Sequence, residues 1–195
     1  MITKTQLKVK RSFDLLFSIL LIPVLIIPII LFVVIATIDT GQFGLFLQKR
    51  VGQHGKLFHI YKIRTLRKEA HVLGQLDLSA TRFGKFLRRF KLDELPQIFN
   101  VLFGTMGFVG PRPDLPGFAD ELEGDDKIIL KIKPGITGPA TLKYKDEERI
   151  LAQQLDPETY NRTIIWPDKV KLNKKYIENY SFSLDLNFIL KSIVN

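Results

Sequence analysis

The sequence predicts a mainly helical α+β protein with a membrane helix at its N-terminus, re-entrant or a kinked span, amphipathic helices, interfacial or core-packed, and a small β-hairpin. Three observations predict it. Residues 13–38, FDLLFSILLIPVLIIPIILFVVIATI, hold one charge, Asp14, and exceed the roughly 20 apolar residues a membrane helix needs. Two β-rich stretches between residues 45 and 64 flank the turn GQHG, as in a hairpin. Leu95, Ile98, Phe99 and Leu102 recur at i, i+3, i+4 and i+7, one face of a helix. The expected division is a membrane-inserted segment, 1–40, and a cytoplasmic domain, 41–195.

The chain has 195 residues, 46% of them hydrophobic, a net charge of +9 and no cysteine. Disulfides and cysteine-ligated zinc or iron–sulfur sites are therefore excluded. A strongly basic balance points to a polyanionic partner: nucleic acid, anionic lipid or a phosphorylated small molecule. Neither a P-loop nor a dinucleotide fingerprint is present, and the three histidines are scattered.

Taken in order, the apolar run comes first. No small-x-small cleavage site follows it, which sets it apart from a signal peptide. Pro23 and Pro28 sit near its middle, where each removes a backbone donor. Its flanks are basic on both sides, Lys8, Lys10 and Arg11 before and Lys49, Arg50 and Lys56 after, and such flanks prefer the cytoplasm. A hairpin broken at Pro23 satisfies both facts, and a kinked span is the alternative. In the second hairpin strand, alternation puts Phe58, Ile60, Lys62 and Arg64 on one face, so Lys62 and Arg64 form a candidate phosphate clamp. Residues 66–80 read as a loop or short helix. TRFGKFLRRF, with Phe83, Phe86, Leu87 and Phe90 at helical spacing, reads either as a helix lying on anionic lipid or as a core helix with a basic outer face.

Next comes LRRFKLDELPQIFNVLFG, residues 87–104. Asp93 is a natural N-cap for a helix ending near Gly104, and Glu94 complements its dipole. Both carboxylates thus have a structural account beside a chemical one. Pro111 and Pro113 bracket Arg112. Residues before proline are held extended, so Arg112 stands on a stiff backbone suited to bidentate phosphate recognition. KPGITGPA is a further turn cluster, and the chain beyond 143 is polar and helical in pattern up to the apolar terminus YSFSLDLNFILKSIVN.

KRSFDLLFS, FLQKRVGQHGKLFHIYKIRT, TRFGKFLRRFKLDELPQIFNVLFG, VGPRPD and KPGITG together resemble the bacterial sugar transferases, the small monotopic phosphoglycosyl transferases. The likeness covers residues 9–140 and returns at ENYSFSLDL. It implies transfer of a sugar-1-phosphate from a nucleotide diphosphosugar, usually a UDP-sugar, to polyprenyl (undecaprenyl) phosphate. The setting it implies is the cytoplasmic face of the bacterial inner membrane, as the first membrane step of glycoconjugate biosynthesis. It also implies Mg²⁺, a ping-pong course through an aspartyl phosphosugar with UMP release, and the re-entrant helix over residues 13–38.

By the resemblance the catalytic pair is Asp93, as nucleophile, and Glu94, as base or metal ligand; both carboxylates are candidate metal ligands. Lys62, Arg64, Arg88 and Arg112 are the expected phosphate-binding cations, supported by the backbone of Pro111 and Pro113. Those cations are expected to keep Asp93 ionised. Inner-membrane lipid is an expected partner and nucleic acid is not; a homo-oligomer is left open. Two departures stand out. Thr105 replaces an acidic residue common in the family, and residues 139–170 lack the family's GRN-containing stretch, which leaves the sugar unassigned. The rival reading is a non-catalytic, membrane-tethered protein that binds anionic lipid or nucleic acid through its basic face. A second rival is a hydrolase with water as acceptor.

Overall fold

The computed structural model describes residues 2–68 and 76–194. Helix α1 is Lys4–Thr40, longer than the apolar run alone. Thr3 and Gln6 close a reciprocal capping box at its start, and Gly41, at φ 66°, ends it in the left-handed conformation that favours glycine. The expected break at Pro23 does not interrupt it: α1 runs on through Pro23 and Pro28. A proline removes one donor, and the neighbouring turns still carry the helix.

α1 is long and apolar enough to cross a membrane. One seam of it, marked by Lys10, Asp14, Ser18, Ile29 and Ala36, is buried. The opposite side exposes Leu16, Leu20, Val24, Ile27, Leu31 and Ile38.

The hairpin is as read. β1 (Leu45–Val51) pairs antiparallel with β2 (Leu57–Ile63), from Leu45 opposite Ile63 to Val51 opposite Leu57, around a turn at Gln53–Gly55. Helix α2 (Leu76–Ser79) falls in the stretch read as loop or short helix, of which residues 69–75 lie outside the described residues. Helix α3 (Arg82–Arg89) is capped by Thr81, whose hydroxyl accepts from Gly84 N at 2.8 Å. Leu87 buries, as the core-helix reading expects, while Phe86 and Phe90 stay exposed beside Arg88 and Arg89. Helix α4 is Gln97–Phe103, closed by Gly104 at φ 79°.

The sequence reading missed β3 (Gly107–Val109) and β4 (Gly135–Thr137), a parallel pair of three residues each. Beyond them the stretch read as helical holds α6 (Glu147–Ala152), α7 (Pro157–Tyr160) and α8 (Trp166–Glu178), while α5 (Pro139–Lys143) begins in the stretch read as a turn cluster and α9 (Phe182–Val194) forms in the apolar terminus. Ile60, Ile98, Val101, Met106, Ile132 and Ile177 form the centre of the core, and Ile29 of α1 belongs to it.

The start of α1 is fastened by polar contacts. Lys10 Nζ lies 2.6 Å from Asp185 Oδ2, with both residues buried at 5% and 2% exposure, and Tyr176 and Tyr180 donate to the same carboxylate. Arg11 donates to the carbonyls of Val101 (2.6 Å) and Leu102 (2.8 Å) in the last turn of α4, where Val101 O also accepts from Gly104 N (3.0 Å). Asp14 accepts from Phe108 N at 3.1 Å.

Candidate active site

Asp93 and Glu94 lie in a 3₁₀ turn, Leu92–Glu94, entered through Lys91 at φ 57°. Asp93 does not cap α4, contrary to the sequence expectation. Pro96 holds that position and makes no side-chain cap. The backbone donors of this entry are instead taken by short-range bonds, Leu95 N to Leu92 O (3.3 Å), Ile98 N to Leu95 O (3.1 Å) and Phe99 N to Pro96 O (3.1 Å). Asp93 is therefore released from capping.

Neighbours in sequence, the two carboxylates differ in surroundings. Glu94 Oε1 accepts from Lys62 Nζ at 3.0 Å and from Arg112 Nη2 at 2.8 Å. Burial pushes the Glu94 carboxyl up, but Arg112 and Lys62 outweigh it and hold the group well below the usual carboxylate range. Asp93 is 6% exposed and accepts no hydrogen bond from a described residue. Burial raises its pKa against the pull of Lys62, so desolvation outweighs the cations expected to keep it ionised. Burial likewise lowers Lys62, opposed by Glu94.

Local structure explains why these groups meet. Asn100, 2% exposed, accepts from Tyr61 N (3.0 Å) and donates to His59 O (2.8 Å), which locks α4 to β2 next to Lys62. The Pro111–Asp114 stretch has no regular secondary structure and opens on a bend at Pro111. Pro111 O accepts from Gly135 N (2.8 Å) and Asp114 O from Val51 N (2.9 Å), so it bridges the parallel pair and β1. Glycine is required beneath it, since a Cβ on Gly135 would lie 2.1 Å from Gly110 N.

The structure brings Lys62 and Arg112 together on Glu94. It places Arg88 where its charge acts on Asp93, while its guanidinium ion-pairs with Glu148. Arg64 is not gathered in: it follows the end of β2, donates to Phe43 O (2.9 Å), stacks over the Phe46 ring, and pairs with neither carboxylate. Alternation assigned its face, but the strand ends at Ile63. Thr105 sits at the far end of α4, where its hydroxyl donates to Asn100 O at 3.2 Å.

Four charged residues escaped the sequence reading. Arg50 Nη1 donates to Pro113 O (3.2 Å), while its buried Nε has no partner. Burial and the Arg112 charge draw its pKa down to about 10. Burial pushes Asp114 up to about 6, against the pull of Lys169 and Arg50. Lys169 Nζ holds both Glu147 carboxylate oxygens at 2.7 Å. Glu147 and Lys169 come from the region that departs from the family pattern, where no motif marks them. Arg50 is visible only once β1 is placed beside Pro113.

Among the described residues no three His, Cys, Asp or Glu side chains gather as a metal site. Asp93 and Glu94 Oε2 accept no hydrogen bond from a described residue, which leaves these oxygens as candidate donors to a cation. Such a donor set suits Mg²⁺, which is commonly held by one or two carboxylates together with substrate phosphate and water.

Residues 5–195 match the model of the bacterial sugar transferase family. The chain is 32% identical over 188 residues to the uncharacterized sugar transferase EpsL of Bacillus subtilis, covering 95% of this chain and 85% of that protein. It is 30% identical over 198 residues to the UDP-N-acetylgalactosamine-undecaprenyl-phosphate N-acetylgalactosaminephosphotransferase of Aeromonas hydrophila, covering 95% and 43%. With the undecaprenyl-phosphate galactose phosphotransferase of Salmonella typhimurium it shares 37% identity over 153 residues, covering 67% and 31%. It thus spans most of the first relative and less than half of the other two. With the acidic pair, its two cations and the Pro-Arg-Pro backbone in place, and a match running nearly end to end, the chain belongs to the bacterial sugar transferase family.

Proposed function

We propose that the protein transfers a sugar-1-phosphate from a UDP-sugar to polyprenyl phosphate, with Asp93 as covalent nucleophile. The observation that carries this reading is the asymmetry of the acidic pair: Glu94 is bound by two cations, and Asp93 is buried without a hydrogen bond. A carboxylate deprived of water and donors is a stronger nucleophile than a solvated one. The names of the Aeromonas and Salmonella relatives, which specify undecaprenyl phosphate, support the acceptor.

In the first step an Asp93 oxygen attacks the sugar-bearing phosphorus, the bond to the UMP oxygen breaks, and UMP leaves. In the second, a phosphate oxygen of the acceptor attacks the same phosphorus and Asp93 departs as carboxylate. Phosphoryl transfer asks mainly for alignment and charge neutralisation. Lys62 and Arg112, held at fixed distance by Glu94, supply positive charge to the diphosphate, and Arg88 adds to it beside Asp93. Glu94 acts here as the anchor of the cations rather than as a base, because a phosphate with a second pKa near 6 needs little deprotonation. Mg²⁺, held by Asp93 and Glu94 Oε2, would neutralise diphosphate charge when bound.

We further propose that α1 enters and leaves the membrane on one side. Its buried seam runs from Lys10 to Ala36, about 39 Å of helix. A helix crossing the bilayer would carry its middle turns out of the domain's reach. Cysteines placed at Lys4 and Gln42 are expected to react only from the cytoplasmic side, and labelling of either from the periplasm contradicts the re-entrant arrangement.

The reaction is tested by screening UDP-sugars with polyprenyl phosphate and Mg²⁺ for UMP release. Transfer predicts sustained turnover only with the lipid acceptor. A hydrolase would turn over equally well without it, and a binding protein not at all.

A further inference from the structure

The C-terminal end of α4 faces two cations. A Cβ added at Gly104 would lie 3.1 Å from Lys133 Nζ and 3.2 Å from Arg11 Nη2. The two nitrogens therefore stand within about 6.3 Å of each other, a span that charge-assisted hydrogen bonds of about 2.8 Å to one phosphate can bridge. A helix C-terminus attracts cations, and that explains Arg11, which donates to Val101 O and Leu102 O. It does not explain Lys133, whose amine donates to no described residue. Arg11 also keeps N–H donors beyond those it gives to the carbonyls.

Charge is unbalanced here. Burial and then the Arg11 charge draw the Lys133 amine below its ordinary pKa, against the pull of Asp14. Asp185 matches Lys10, so Asp14, which accepts from Phe108 N, is left to face both Arg11 and Lys133. A single positive charge is left over.

Depth selects what answers it. Arg11 lies where the surface of α1 changes: Lys4 and Lys8 are exposed before it, and Leu15, Leu16, Ile19 and Leu20 after it. Arg11 and Leu15 are separated by about 6 Å of helix. Phe103 exposes its ring next to Gly104. With α1 inserted, both cations come to the level of the lipid headgroups, where anionic lipids present a phosphodiester with a single negative charge.

We propose that Arg11 and Lys133 together bind the phosphate of an anionic membrane phospholipid, over Gly104. The site stands at the opposite end of α4 from the acidic turn, about 10 Å along the helix, so its occupant is a lipid of the bilayer and not the acceptor of the transfer reaction. The inference uses the insertion of α1 but not that reaction, and either can fail without the other.

The test is native mass spectrometry of the full-length protein in detergent, titrated with phosphatidylglycerol. Lys133→Met removes one cation and no hydrogen bond of the fold. It is expected to weaken binding of the first phosphatidylglycerol about fivefold, the effect of one basic side chain at an anionic lipid surface. Lys131→Met, at an exposed lysine nearby, makes the same change in net charge and should bind as the wild type does. Lys133→Arg should restore binding, and phosphatidylcholine, which has no net charge, should not distinguish the wild type from Lys133→Met. Without lipid, Lys133→Met should melt no lower than the wild type, because it relieves the repulsion of Arg11; a lower melting temperature would make Lys133 a residue of the fold and overturn the proposal. Unchanged affinity in Lys133→Met overturns it, as does an equal loss in Lys131→Met, which would mean diffuse attraction by a basic surface. Displacement of phosphatidylglycerol by inorganic phosphate at equal concentration would assign the site to a soluble anion and overturn it too.

Discussion

Glu94 and Arg112 meet at 2.8 Å, and Lys62 shares the same carboxylate oxygen at 3.0 Å, while Asp93, one residue earlier, has no such partner. On the transfer reaction proposed above, the two acids separate into an anchor, Glu94, and a reactant, Asp93. Asp93→Asn strands no cation and removes no cap, so its melting temperature should stay close to wild type. Transfer should fall by at least about 10³, since an amide is a poor nucleophile. Glu94→Gln leaves two buried cations short of charge and should cost about 2–4 kcal/mol, or about 4–16 °C. Thermal melts with mass spectrometry of the adduct check both. An adduct mapped to Glu94, or persisting in Asp93→Asn, would show the assignment to be wrong.

Arg112→Lys keeps the charge but loses the planar fork that reaches Glu94 and a phosphate at once. Activity should drop at least tenfold, with folding and insertion retained, because the backbone on either side of Arg112 is held by Gly135 N and Val51 N rather than by the guanidinium. Steady-state kinetics with fluorescence size-exclusion reads both. Wild-type turnover would reduce Arg112 to a turn residue.

Asp114 gives the fold a pH signature. Its pKa rises from 3.8 to about 6 in the folded state, by burial. Between those values the native state binds more protons than the unfolded one, so stability falls as pH rises through that window. The full loss is about 3 kcal/mol. Asp114→Asn should flatten that slope. Melting temperatures from pH 4 to 7 are the measurement, and an unaltered slope counts against the effect.

The buried Lys10–Asp185 pair joins the first and last helices. Asp185→Asn leaves a buried ammonium unpaired, at about 3–5 kcal/mol. Lys10→Met combined with Asp185→Asn should recover part of that loss, since no charge is then stranded. A double-mutant cycle by thermal unfolding in detergent decides it; strictly additive losses would mean that the pair does not interact.

What the sequence disclosed and what it withheld divide along a physical line. Features with a local code were legible: the apolar run of α1, the hairpin around GQHG and the face of α4. Features that depend on non-local pairing were not. β3 and β4 are too short for alternation to register, and Arg50, Asp114, Glu147 and Lys169 become one cluster only after β1, the Pro111–Asp114 stretch, α6 and α8 pack together. Asp93 was misread as a cap because local rules cannot foresee that a 3₁₀ turn would satisfy the donors itself. Arg64 was misplaced because period-two alternation does not announce where a strand stops.

Arg11 grips the far end of the helix whose near end carries the reactive turn. α4 is about 10 Å long; Arg11 fixes its C-terminal end and Asn100 ties its middle to β2. It works as a spacer of set length between the inserted helix and the reacting carboxylate. On the proposed seating of α1 and the proposed transfer to a lipid phosphate, Asp93 would move with α1 as it rides deeper or shallower, while the acceptor's phosphate stays at the headgroup level. Bilayer thickness would then be a kinetic variable: turnover should peak where the two heights coincide and decline in membranes that are thinner or thicker.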